Sequence, residues 1–231
     1  RRRRPNLTVS TTVKHGPADD VISAAAGRAG LMVMGSRGRG GFTGMLLGSV
    51  SRAVAAEGRG PLLVVRSGTD GRAQLPLDEN LHRTDTLTVV VGVSEESCLP
   101  AVEQAFAEAS LRKEPLRALH AWSFPDLPAY GLAAAGAVGP TADTIRLCQQ
   151  NGETIVSQTV SRARDGYPDV EVVEDVVNGP RAQAMVDASR SASLVVVATR
   201  RRPGRIGRHL GPVTHALLHH AHAPVLLIPV D

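Results

Sequence analysis

Six glycines fall within residues 34–55, MGSRGRGGFTGMLLGSVSRAVA, between a short apolar run and a helix-like run. Their key spacing is Gly35-x2-Gly38-x9-Gly48-Ser49. Glycine lets the backbone come close to a ligand and take positive φ. Amides left free in such a loop, and at the start of the helix after it, donate to phosphate oxygens. Ser49 can add its hydroxyl, and Arg37 and Arg39 add positive charge. Phosphate binding at Gly35, Ser36, Arg37, Gly38, Arg39, Gly48, Ser49 and Val50 is the chemistry this arrangement suggests. A glycine-rich loop with no ligand is the competing reading. The pattern contains no GxxxxGK[ST], so it is not a P-loop.

Such a loop works only where a strand and a helix hold its ends. In open α/β sheets, ligands sit at the carboxyl ends of strands, with a helix N-terminus facing the anion. The sequence around the loop has that layout, and it has it twice. Residues 7–66 align without a gap on residues 170–229, shifted by 163. Val9, Val13, Gly16-Pro17, Leu31, Val33, Arg37, Arg39, Gly41, Gly44, Leu47, Gly48, Pro61 and Leu63 all recur. A match that keeps the glycines and prolines argues for duplication of one fold.

The second copy alternates strands with helices. LTVVVGV (87–93) is an apolar run of the kind buried on both faces of a parallel sheet. A helix follows at 96–113, with Val102, Ala105, Phe106 and Ala109 at helical spacing. Strands are expected at 115–122, 170–177, 193–199 and 224–230, and helices at 141–164, after Gly179-Pro180, and at 212–222. Residues 123–140 read as a Pro- and Gly-rich loop. Five alternations predict a doubly wound α/β domain. The first copy supplies only three strands, at 7–13, 31–35 and 61–66, with the helices between them. The expected organisation is 1–66 as the C-terminal half of a first domain, 67–86 as a linker, and 87–231 as a complete second domain.

Composition narrows the function classes. No run of 18 apolar residues predicts a membrane span, and no secretory signal is visible. Net charge is +4, but Arg1 to Arg4 supply all of it, so bulk charge says little about partners. Cys98 and Cys148 fit no metal or CxxC spacing and read as free thiols of a reducing cytosol. The run 199–209, TRRRPGRIGRH, carries five arginines but no interleaved aromatics for base stacking. It reads as a solvated basic loop or a substitute phosphate contact rather than a nucleic-acid surface. His215, His219 and His222 share one helical face, but no carboxylate or Cys accompanies them to make a metal site. No nucleophile–base pair stands out.

The loop spacing, the VVVGV strand of the second copy and the ending HHAHAPVLLIP resemble the universal stress protein family. The resemblance covers nearly the whole chain, as a tandem of two such domains. It implies a five-stranded parallel sheet in order 3-2-1-4-5 and pairing through the last strands, here 61–66 and 224–230, as a pseudo-dimer or homodimer. It implies ATP on the glycine loop, with an Asp after strand one touching the adenosine. It also implies a cytoplasmic regulatory module with weak or no catalysis. Slow ATP hydrolysis and a partner-binding scaffold without nucleotide are the alternatives.

The two copies depart from that pattern in opposite ways. The first keeps the loop but lacks strands one and two, so it holds half an ATP site and its strand 7–13 has no neighbour. A longer natural protein is therefore expected. The second copy keeps the scaffold but reads Ala198-x2-Arg201-x9-Gly211-Pro212. Pro212 removes an amide donor and a hydroxyl. The strand-one end reads VGVSEES, without the Asp, so no ATP is expected there.

Overall fold

The computed structural model describes residues 6–36, 47–65, 87–94, 96–123, 141–200 and 210–230. The expected linker 67–86 and the loop 124–140 lie outside them. In chain order the elements are α1 (Ala18–Ala26), β1 (Met32–Gly35), α2 (Ser49–Glu57), β2 (Leu62–Val65), β3 (Thr88–Gly92), α3 (Leu99–Arg112), β4 (Leu116–Trp122), α4 (Ala142–Arg164), β5 (Val172–Asn178), α5 (Arg181–Ala188), β6 (Ala192–Arg200), α6 (Pro212–His220) and β7 (Val225–Val230). Local chemistry sets several boundaries. Gly58 ends α2 in the left-handed region at φ 54°, where a side chain would be strained. Thr141 caps α4 by accepting from the Thr144 amide. Pro212 opens α6 at a position whose amide hydrogen no helical bond needs.

All the described strands join one seven-stranded sheet in the order β1-β2-β7-β6-β3-β4-β5. This corrects the expected five-stranded sheet. The apolar strands β2 and β7 would each be a bare edge alone, and they close against each other antiparallel, merging both copies into one sheet. The part supplied by residues 88–230 is the run β7-β6-β3-β4-β5, all parallel. β1 pairs β2 in the register Met32↔Leu62 to Gly35↔Val65, and β6 pairs β7 in the register Val195↔Val225 to Ala198↔Ile228. The two registers coincide when shifted by 163, as do the bounds of α2 and α6.

Each sheet face carries a core. One packs Val54, Leu62 and Val64 of the first copy with Val195, Leu217 and Leu227 of the second. The other packs Val89, Phe106, Leu116, Val156 and Leu194 under α3 and α4. The expected strand 7–13 does not form. Leu7, Val9 and Val13 are exposed, and no ladder reaches them. A strand needs a neighbouring strand to complete its ladder, and none pairs with this segment among the described residues.

Candidate functional site

β1 delivers Gly35 to the carboxyl end of the parallel β1–β2 pair. Its carbonyl accepts a hydrogen bond from Ser51 Oγ at 2.9 Å. Ser36 is buried, and its amide donates to the Val65 carbonyl at 2.8 Å, continuing the ladder one residue past the strand. Its own carbonyl accepts from the Gly48 amide at 2.7 Å. That bond ties the exit of β1 to the entrance of α2. The described residues that flank positions 37–46 are therefore held together at one point.

Gly48 is the N-cap of α2, extended at φ −72° and ψ 151°, with no side-chain cap. Its amide is already spent on Ser36, so its part is to hold the turn. Ser49, Val50 and Ser51 then open α2, and no acidic residue stands in that first turn. Ser49 is exposed at the mouth, while Val50 packs partly against the core. The first amides of a helix have no intrahelical acceptor and form its positive end. The arrangement favours an anion beside the loop.

The structure thus brings Gly35, Ser36, Gly48, Ser49 and Val50 together. Arg37, Gly38 and Arg39 lie outside the described residues. Ser51 escaped the sequence reading. It is buried and fixes the loop base from inside α2. The available signal was repetition, since its 163-residue equivalent is Thr214, again a buried hydroxyl.

The equivalent place in the second copy differs. Ala198 is held in the ladder opposite Ile228. Two residues on, Arg200 donates to Ser97 Oγ, crossing from the end of β6 to the turn after β3. Gly211 is extended before Pro212, as Gly48 is before Ser49. Arg201 and the rest of the arginine run lie outside the described residues.

Among the described residues no three His, Cys, Asp or Glu side chains gather for a metal. The rings of His215 and His219 stand 4.4 Å apart on α6, which ends at His220, before His222. Cys98 and Cys148 are free. No described helix is long and apolar enough to cross a membrane.

Comparison with known proteins follows the same lines. The family model described as "Universal stress protein family" matches residues 1–66 and 86–229. A universal stress protein of Mycobacterium tuberculosis strain H37Rv is 33% identical over 230 residues, covering 96% of this chain and 67% of that protein. One of Mycolicibacterium smegmatis is 28% identical over 224 residues, covering 96% and 69%. A solved structure described as a putative universal stress protein from Pseudomonas aeruginosa superposes with a TM-score of 0.60 at 16% identity, covering 99% of this chain and 74% of that one. The chain spans about two thirds of the length of these two curated relatives. A model match over most of the chain and a relative one-third identical together establish that it belongs to the universal stress protein family.

Proposed function

We propose that this protein is an adenine-nucleotide-binding regulatory module, with ATP as ligand and the phosphate site at Gly35, Ser36, Arg37, Gly38, Arg39, Gly48, Ser49 and Val50. One observation carries the reading. The Ser36–Gly48 bond pins both ends of a glycine-rich segment between a parallel strand and an uncapped helix start. That is a geometry suited to phosphate oxygens, which need several donors converging without side-chain obstruction. The resemblance of the loop spacing to the family's ATP-binding members points to ATP.

The second copy is a degenerate partner on this reading. Pro212 supplies no amide, and Arg200 is turned to Ser97. Its role is to close the sheet edge at β2 and complete the core shared with the first copy. These 231 residues supply the phosphate side of the proposed first site, and their affinity is expected to be weak, with a Kd of about 0.1–1 mM, or −4 to −5.5 kcal/mol. Calorimetric titration of the chain with ATP tests this. A saturable isotherm that Gly38→Asp abolishes supports the reading, and no heat up to about 10 mM would sink it.

A further inference from the structure

A glycine after Asn or Asp leaves its peptide nitrogen free to attack the preceding side-chain carbonyl carbon, because no Cβ stands in the way. The described residues hold three such pairs: Asn151-Gly152, Asp165-Gly166 and Asn178-Gly179. A side-chain amide loses ammonia more readily than a carboxyl group loses water. By sequence alone the two Asn-Gly pairs are therefore the labile ones. The fold reverses that order.

Asn151 and Gly152 lie inside α4, where the Gly152 nitrogen belongs to the helical ladder. The helix is pressed onto the sheet at this point. A Cβ on Gly152 would stand 2.7 Å from Val176 Cγ1 and 3.0 Å from His120 Cδ2. Ring closure on Asn151 would require this turn of α4 to lift from β4 and β5. Asn178 ends β5, and the Gly179 amide donates to the Trp122 carbonyl at 2.8 Å, one step past the β4–β5 ladder. The nitrogen that would have to attack is held in that bond. It is released when the end of β5 peels from β4.

Asp165-Gly166 is the opposite case. Asp165 is the C-cap of α4, and Gly166 stands in the turn beyond it. Both are exposed. A Cβ on Gly166 would meet nothing within 4 Å, and its φ is not left-handed. The chain is next fixed at Tyr167, whose amide donates to the Arg164 carbonyl and whose ring stacks 5.6 Å from Phe106. Rotation at Asp165 disturbs a helix end, where local opening costs least.

We propose that Asp165-Gly166 is a site of spontaneous isoaspartate formation in the folded protein. The Gly166 nitrogen bonds to Asp165 Cγ, and the carboxyl hydroxyl leaves with the amide hydrogen as water. Water then adds back and breaks one of the two carbonyl carbon–nitrogen bonds of the ring. Scission at Cγ restores Asp165. Scission at the main-chain carbonyl carbon leaves the chain running through Cγ, with one extra backbone carbon and a free α-carboxylate. That product presents the α4–β5 turn as a substrate for an enzyme that methylates isoaspartyl carboxylates.

The full chain, incubated near neutral pH in heavy-oxygen water and mapped by peptide mass spectrometry, tests this. Labelling with an isoaspartyl carboxyl methyltransferase confirms the linkage. Peptide mapping is needed because Asp70-Gly71, outside the described residues, must be read separately. In the folded protein, Asp165 should take up heavy oxygen and yield isoaspartate at least about 10-fold faster than Asn151 or Asn178 loses ammonia. In strong denaturant the order should invert. Gly166→Ala should slow the Asp165 reaction by about 10-fold or more, because its Cβ obstructs the attacking nitrogen. Its melting temperature should not fall, since the site has room for that Cβ. Three results would overturn the proposal: isoaspartate at Asp165 only after denaturation, faster loss of ammonia from Asn151 or Asn178 in the folded chain, or an unchanged rate in Gly166→Ala.

Discussion

Leu63 and Leu226 face each other across the antiparallel ladder that joins the two copies, and they are equivalent residues, 163 positions apart. Leu62↔Leu227 and Val64↔Val225 flank them symmetrically, so the ladder has a local two-fold axis through this pair. Their surroundings are unequal. Leu226 belongs to the core under α3 and α4, while Leu63 only borders it. Truncation cost scales with lost burial and the cavity left behind. Leu226→Ala should therefore destabilise the protein by about 3 kcal/mol, and Leu63→Ala by about 1 kcal/mol. Urea denaturation curves compare the two, and equal losses would contradict the asymmetry.

Gly60 approaches the end of α1 closely. A Cβ there would stand 2.4 Å from the Ala26 carbonyl oxygen, a backbone atom that cannot swing away. Gly30, in the same stretch of connections, has open space at its Cβ position. Gly60→Ala should cost about 2–3 kcal/mol through forced backbone movement, while Gly30→Ala should change stability by less than about 0.5 kcal/mol. Thermal melts of the two variants decide the point.

These contrasts show what was readable from sequence and what was not. The strands β3, β6 and β7 announce themselves as apolar runs long enough to be buried, β4 and β5 as Val- and Leu-bearing runs broken by charges, and the helices between them by helical spacing. The segment 7–13 carries an equally good strand pattern, LTVSTTV, but a strand exists only with a neighbour, and pattern alone does not supply one. The resemblance implied pairing of 61–66 with 224–230, and β2 does pair with β7. What escaped is that this ladder merges two first-copy strands with five others into one seven-stranded sheet. At the site, glycine spacing marked the loop, whereas Ser51 looked like any helix serine until its bond to the Gly35 carbonyl was seen.

Ser51 leads to a separable prediction. Ser51→Ala removes a buried hydrogen bond at the loop base and leaves the Gly35 carbonyl without that donor. Stability should fall by about 1 kcal/mol. Affinity for ATP should fall several-fold, because the loop exit loses its fixed position. Ser51→Thr restores the hydroxyl that Thr214 carries at the equivalent place, and both losses should be largely recovered. Melting curves and calorimetry on the same samples separate the two effects. An alanine variant with unchanged affinity would mean that the Ser36–Gly48 bond alone shapes the loop.

The unequal copies also make stoichiometry a test. Gly41, Gly44 and Gly48 recur as Gly204, Gly207 and Gly211, so they fit a shared turn. Gly35, Gly38 and Ser49 are replaced by Ala198, Arg201 and Pro212, so on the proposed reading they are the nucleotide-specific part. ATP should therefore bind once per chain. Gly38→Asp puts a side chain and a negative charge where phosphate would lie, and Ser49→Ala removes one donor at the helix start. The first should abolish binding, a loss of more than about 100-fold, and the second should weaken it by about 5- to 10-fold, the ordinary net worth of one hydrogen bond. Neither change touches the second copy, so any site there would persist in Gly38→Asp. Residual saturable binding in that variant would show that Arg200 and Pro212 do not close the second site, and two equivalents in the parent chain would show the same.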